Sequence, residues 1–248
     1  MFQQTISHSS QVVVTDMQAS AAAPAPCAQQ CWFLAQWTLG KVDSAKKPGP
    51  SVKYGTRKTI YSRGDRARYS YKVLTGTVRL SRILMDGHRQ ILDLLLPGDT
   101  FGLESTDEYT ATAETIGEVE LLRCPRACLA NQLATRREAP GQIASMLSAE
   151  VSSAQDHIAM LTHQGALERV ALFLLRFAER QNGQRVIELP AGRQDMADYL
   201  GLTIETTCRS LTELRNRGVI SIKGRRMIEV RNREVLEGYA EGDERAAA

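Results

Sequence analysis

The sequence predicts an α+β chain: an N-terminal β-roll of the jelly-roll kind, one long helix, and a C-terminal helix-turn-helix with a β-wing. Three observations carry this prediction. Between about 52 and 137, short strand-like stretches alternate with glycine-bearing turn signals. From Pro140 to His163, apolar residues recur at alternating steps of three and four. From Arg193 to Gly218 the chain reads as helix, tight turn and helix, and two short alternating strands follow.

Residues 1–51 precede these elements as a flexible arm. SAAAPAPCAQQ and KVDSAKKPGPS are rich in Ala, Pro, Ser and Lys, and only CWFLAQWTL between them suits a short helix. The roll over 52–137 is built from KTIY, YKVL, TVRLSRIL, RQILDLLL and EVELLRC. RGD at 63–65, TGT at 75–77, MDGH at 85–88 and LPGD at 97–100 divide them as turns, with glycine free to take positive φ. Val78 and Leu80 are expected on one strand face, and Leu92, Leu94 and Leu96 on another.

Residues 138–165 form the long helix. Ile143, Leu147, Val151, Ala154, Ile158 and Leu161 make a narrow apolar seam suited to pairing with an identical helix. The alternative is a helix packed on its own β domain. Gly165 marks a hinge, and ALERVALFLLRFAERQNG forms the next helix, ending at Gly183.

Residues 166–240 complete a winged helix-turn-helix domain, and 241–248 form a disordered tail. Met196, Ala197 and Leu200 face inward, Gly201 makes the turn, and Thr203 caps the second helix. Ile204, Leu211 and Leu214 hold that helix to the core, leaving Glu205, Thr206, Cys208, Arg209 and Glu213 outside. The front of such a helix meets base edges. Arg209 suits guanine O6 and N7, and Glu205 suits cytosine N4; the alternative for this i,i+4 pair is a plain surface ion pair. Cys208 lies between them. Arg193, Thr203 and Thr206, with Lys223, Arg225 and Arg226 at the wing tip, are candidates for the phosphate backbone.

Composition bounds the partners. The net charge of 248 residues is only +3, but Glu205 to Arg233 holds eight basic residues against three acidic ones. That local excess suits double-stranded DNA as partner, or else an ordinary solvated face. No apolar run is long enough for a membrane span, and the start lacks the pattern of a secretory signal, so a cytoplasmic protein is expected. Five cysteines argue against a disulfide framework. An enzyme is not expected: the roll contributes only His88 where a metal-dependent roll needs clustered ligands, and there is no glycine-rich nucleotide loop. His8, His88, His157 and His163 form no recognisable haem pair. No cofactor is expected.

The glycine-punctuated roll with LPGDTFG, the long helix and ADYLGLTIETTCRSLTEL together resemble the CRP/FNR family of bacterial transcription regulators over about 52–240. The last stretch is similar to the FixK type, whose recognition helix follows E-x-x-S-R; here that pattern falls on Glu205, Cys208 and Arg209. The resemblance implies a homodimeric activator that reads a palindrome of TTGAT-like half-sites, contacts RNA polymerase and controls microaerobic and respiratory genes. Relatives that bind cyclic AMP carry an Arg-Ser pair, which here falls on Tyr109 and Thr110, so the phosphate would lack its guanidinium. The FNR-type iron–sulfur sensor is the alternative. Against it, Cys27 and Cys31 have no third cysteine nearby, and the family's cysteine in the roll falls on Leu122, short of Cys124 and Cys128. Cys124 and Cys128 read as buried packing residues.

Cys208, beside Arg209 and in the first turns of a helix, is placed where thiolate is favoured. Oxidation there would add oxygen and negative charge to a surface that must meet phosphate, making Cys208 a candidate off switch. The alternative is a substitute for serine of similar size.

Overall fold

The computed structural model describes residues 51–242, apart from 105, 136, 138 and 164. The expected arm before Ser51, with Cys27 and Cys31, and the tail from 243 onward lie outside the described residues.

The roll is built from β1 (Ser51–Tyr54), β2 (Thr59–Tyr61), β3 (Tyr69–Ile83), β4 (Arg89–Leu95), β5 (Thr100–Phe101) and β6 (Thr112–Pro125). All pairings are antiparallel, in the order β1-β6-β3-β4, with β2 on β6 and β5 on β3. Long β3 and β6 form the spine. Tyr71, Val73, Val78, Phe101 and Leu121 fill the interior, and Tyr61 stacks on Tyr109 with ring centroids 3.5 Å apart.

The TGT signal at 75–77 is not a hairpin. YKVL and TVRLSRIL belong to one strand, β3, and Gly76 (φ 82°) sits where the pairing with β6 shifts between Val73 and Thr77. A Cβ at Gly76 would come within 2.3 Å of the Glu118 carbonyl oxygen. A bulge and a tight turn demand the same residue, so the glycine alone could not tell them apart. The expected face of Leu92, Leu94 and Leu96 is also broken. Pairing jumps from Leu80–Asp93 to Ser81–Ile91, bulging Leu92 out; Ile91, Leu94 and Leu95 are buried instead.

A short helix, α1 (Arg126–Thr135), follows β6 without having been anticipated. Its Cys128 and Leu129 close a small core with Leu74, Leu122, Cys124 and Met146. Then α2 (Ala139–Thr162) follows, with two apolar faces. Ala139, Met146, His157 and Met160 pack on their own chain. Leu147, Val151 and Ile158 remain 43%, 55% and 62% exposed and Ala154 is exposed, while Ile143 and Leu161 are half-buried. The face packed on its own chain and the residues expected to form the seam thus lie on different sides of the helix.

The C-terminal domain comprises α3 (Ala166–Arg180), β7 (Val186–Glu188), α4 (Arg193–Leu200), α5 (Ile204–Asn216), β8 (Ile220–Ile222), β9 (Met227–Val230) and α6 (Arg233–Ala240). Phe173, Leu174 and Phe177 of α3 meet Tyr199, Leu211, Leu214, Ile228 and Leu236 in a core that also takes in Ile91 and Leu94 of the roll. Each such fully buried side chain contributes about 1.5–3 kcal/mol of apolar transfer. The wing has a third strand: β7 pairs β9, with Ile187 opposite Ile228.

Candidate nucleic-acid interface

The turn between α4 and α5 is set by local chemistry. Gly201 takes a left-handed conformation (φ 62°) that ends α4, and its amide donates to the Ala197 carbonyl. Thr203 is extended, and its Oγ1 accepts the Thr206 amide at 3.2 Å, so α5 starts at Ile204 as the cap predicted. The buried face of α5 is Thr207, Ser210, Leu211 and Leu214; Ile204, expected in the core, is half-buried.

Glu205, Cys208 and Arg209 are exposed on the opposite side, and Thr206 is half-buried. Among the described residues no ion pair joins Glu205 to Arg209. The i,i+4 pair on this helix is instead Glu213 with Arg217, at 2.6 Å. Among the described residues Glu205 and Arg209 at the front of α5 thus form no salt bridge, while Glu213 and Arg217 at its end pair with each other.

Arg193 opens α4 and is half-buried. Burial lowers its pKa, and the Cys208 thiol acts in the opposite direction. Its Nη1 is buried without a hydrogen-bond partner. At the wing, Lys223 Nζ lies 3.3 Å from Glu229, which also gathers Arg185 at 3.5 Å and Arg231 at 3.9 Å. The hydrogen bond from Lys223 leads in holding the Glu229 carboxyl below its ordinary range. Arg225 is exposed, Arg226 is half-buried, and neither forms a salt bridge among the described residues.

A cavity of about 330 Å³ lies between the roll and α2, lined by Asp93, Asp99, Glu104, Thr110, Glu150 and Arg180 among others. Arg180, the cation in this lining, is paired with Asp99. Burial, then the charges of Glu104 and Asp93, raise the Glu150 pKa. Tyr109 is buried in the aromatic stack, with its hydroxyl donating to the Tyr69 carbonyl at 2.7 Å. Leu122 is buried beside Cys124 and Cys128. Among the described residues no group of His, Cys, Asp and Glu could hold a metal ion, and no helix is long and apolar enough to cross a membrane.

Sequence reasoning missed the residues that hold α4 in place. Asp195 accepts from Arg79 at 2.8 Å and from Arg89 at 2.7 Å, and Asp198 accepts from Arg89 at 2.8 and 2.5 Å. The i,i+3 spacing of the two aspartates was visible, but their partners stand more than a hundred positions earlier in the chain.

Comparison with known proteins agrees with this geometry. A model of the Crp-like helix-turn-helix domain matches residues 168–239, and one of the cyclic nucleotide-binding domain matches 51–136. The chain is 38% identical over 183 residues to the nitrogen fixation regulation protein FixK of Rhizobium meliloti, covering 74% of this chain and 83% of that protein. It is 36% identical over 178 residues to FixK of Bradyrhizobium diazoefficiens, covering 70% and 75%. The solved structure of FixK2 from Bradyrhizobium japonicum superposes with a TM-score of 0.73 at 36% identity, covering 77% of this chain and 96% of that chain. With its roll, its reading helix and its wing so matched, the chain belongs to the CRP/FNR family of DNA-binding transcription regulators, and within that family to the FixK type.

Proposed function

We propose that the chain works as a homodimer that reads a palindrome of TTGAT-like half-sites and activates transcription by contacting RNA polymerase. The observation that carries this reading is the exposed pair Glu205 and Arg209 at the front of α5. A guanidinium there can take guanine O6 and N7, and a carboxylate can accept from cytosine N4. Arg193, Thr203 and Thr206 sit at the helix N-termini, where backbone amides and cations favour phosphate. Lys223, Arg225 and Arg226 hold the duplex at the wing. Leu147, Val151, Ala154 and Ile158, flanked by Ile143 and Leu161, pair with the same face of a second copy.

The names of the relatives point to target genes of nitrogen fixation, and the FixK resemblance adds microaerobic and respiratory genes. The acid-lined cavity, with its cation already paired, favours activity without a cyclic nucleotide. Cys208 acts as an oxidation-sensitive off switch, since its thiol is exposed on the face that meets DNA. The site of action is the cytoplasm, and no catalytic role is assigned.

The reading is tested by titrating a labelled palindrome of TTGAT half-sites against a scrambled duplex of equal length at one fixed salt. A preference of at least about a thousandfold is expected. Equal affinity for the two duplexes overturns the reading.

A further inference from the structure

The DNA-binding domain is clasped to the roll as well as linked to it. Asp195 of α4 takes hydrogen bonds from Arg79 of β3 and Arg89 of β4, and Asp198 takes two more from Arg89. Arg79 is fixed from its other side by Glu114 at 3.1 Å. The four clasp side chains are only 12% to 25% exposed. Pairs this far out of water resist screening, and losing one partner strands a half-buried charge.

A second link meets α4 from α2. The His157 ring nitrogens lie 3.0 Å from the Leu92 carbonyl oxygen and 2.8 Å from that of Tyr199, and the ring stacks on Tyr199 at 3.9 Å. The Leu92 carbonyl is presented by the β4 bulge. With all these contacts made, Glu205, Cys208 and Arg209 remain exposed, so the clasped arrangement leaves the reading face clear.

A dimer that reads a palindrome needs its two reading helices at a fixed separation. The contacts that join α4 to the roll and to α2 are the clasp and the His157 link. We propose that Arg79 and Arg89 are positioning residues that set which half-site spacing the dimer accepts, acting through Asp195 and Asp198. The inference rests on the dimeric, palindrome-reading function proposed above. One added base pair turns a half-site by about 34–36° and shifts it by about 3.4 Å. A clasped head cannot follow that movement, whereas a released head can.

The test uses the full chain and three duplexes, with the half-sites at their best separation and at one base pair more and less. Wild type should favour the best separation by on the order of tenfold or more. Arg89→Glu should bring the three affinities to within about threefold of one another. A simple loss of stability lowers all three affinities together and leaves their ratio unchanged. Should Arg89→Glu fail to fold, Asp198→Asn carries the same expectation.

A wild-type ratio retained in Arg89→Glu overturns the clasp. If wild type binds a single half-site as tightly as the palindrome, the dimeric reading itself falls and takes this inference with it.

Discussion

Glu205 and Arg209 lie one turn apart on the same face of α5, both exposed, and they do not pair with each other. An i,i+4 ion pair there would have been worth a few tenths of a kcal/mol, roughly 0.2–0.5. Contacts to base edges are worth several times more, so leaving both groups free favours recognition. Arg209→Ala is expected to cost about 1–3 kcal/mol of operator binding and to relax the choice at one base pair. Titrations against a set of singly substituted operators measure both effects. Equal loss on the operator and on an unrelated duplex would remove Arg209 from base reading.

The wing cations divide into two kinds. Lys223 shares Glu229 with Arg185 and Arg231, whereas Arg225 is exposed and makes no salt bridge among the described residues. Arg225→Ala should weaken all sequences alike and reduce the salt slope of binding by about one ion. Lys223→Ala should reduce it less, because that charge is already partly spent on Glu229. An unaltered slope in Arg225→Ala would place the wing tip away from phosphate.

How far the sequence could be read depended on whether the signal was local. The Thr203 cap, the Gly201 turn and the inner residues Leu211 and Leu214 follow from chemistry within a few positions, and the structure has them as expected. Gly76 carried a true signal, positive φ, but a bulge and a turn share it; the deciding fact is the Glu118 carbonyl on a strand some forty residues on. The Asp195 and Asp198 clasp was out of reach for the same reason, since nothing near α4 names Arg79 or Arg89. β7 was too short for its period to show, and it became a strand only by pairing with β9.

The Gly76 close approach leads to a stability prediction separate from DNA binding. Gly76→Ala must put a Cβ at positive φ and against the Glu118 carbonyl, neither of which can shift without disturbing the β3–β6 ladder. A loss of at least about 1–2 kcal/mol is expected from the backbone conformation alone. Denaturant unfolding of the variant measures it. Gly87→Ala serves as the comparison, because no atom lies within 4 Å of its Cβ position. Equal losses would mean that the bulge contact contributes nothing.

Cys208 is exposed on the same side of α5 as Glu205 and Arg209. Oxygen added to its sulfur would enlarge the side chain and, as sulfinate, place negative charge where phosphate must come. Mild peroxide is expected to lower operator affinity by at least about tenfold in wild type and to leave Cys208→Ser nearly unaffected. A reductant should restore binding when oxidation has stopped at the sulfenic stage. If both proteins lose affinity equally, the sensitive group is elsewhere in the chain.

The two faces of α2 make the dimer seam testable without breaking the protomer. Met146, His157 and Met160 hold the helix to its own chain, whereas Leu147 and Ile158 remain 43% and 62% exposed. A carboxylate at either exposed position stays in water in the single protomer and is forced into an apolar seam only when two copies meet. Leu147→Glu or Ile158→Glu should therefore raise the dimer dissociation constant by at least about a hundredfold. The helical content and melting of the single protomer should change little. Sedimentation at graded concentrations separates the two effects, and a variant that stays dimeric at the lowest concentration would move the seam off this face. Because each half-site then meets only one head, the same variants should lose their preference for a palindrome over a single half-site. That loss would tie α2 to recognition through geometry alone, since neither residue lies on the DNA-reading helix.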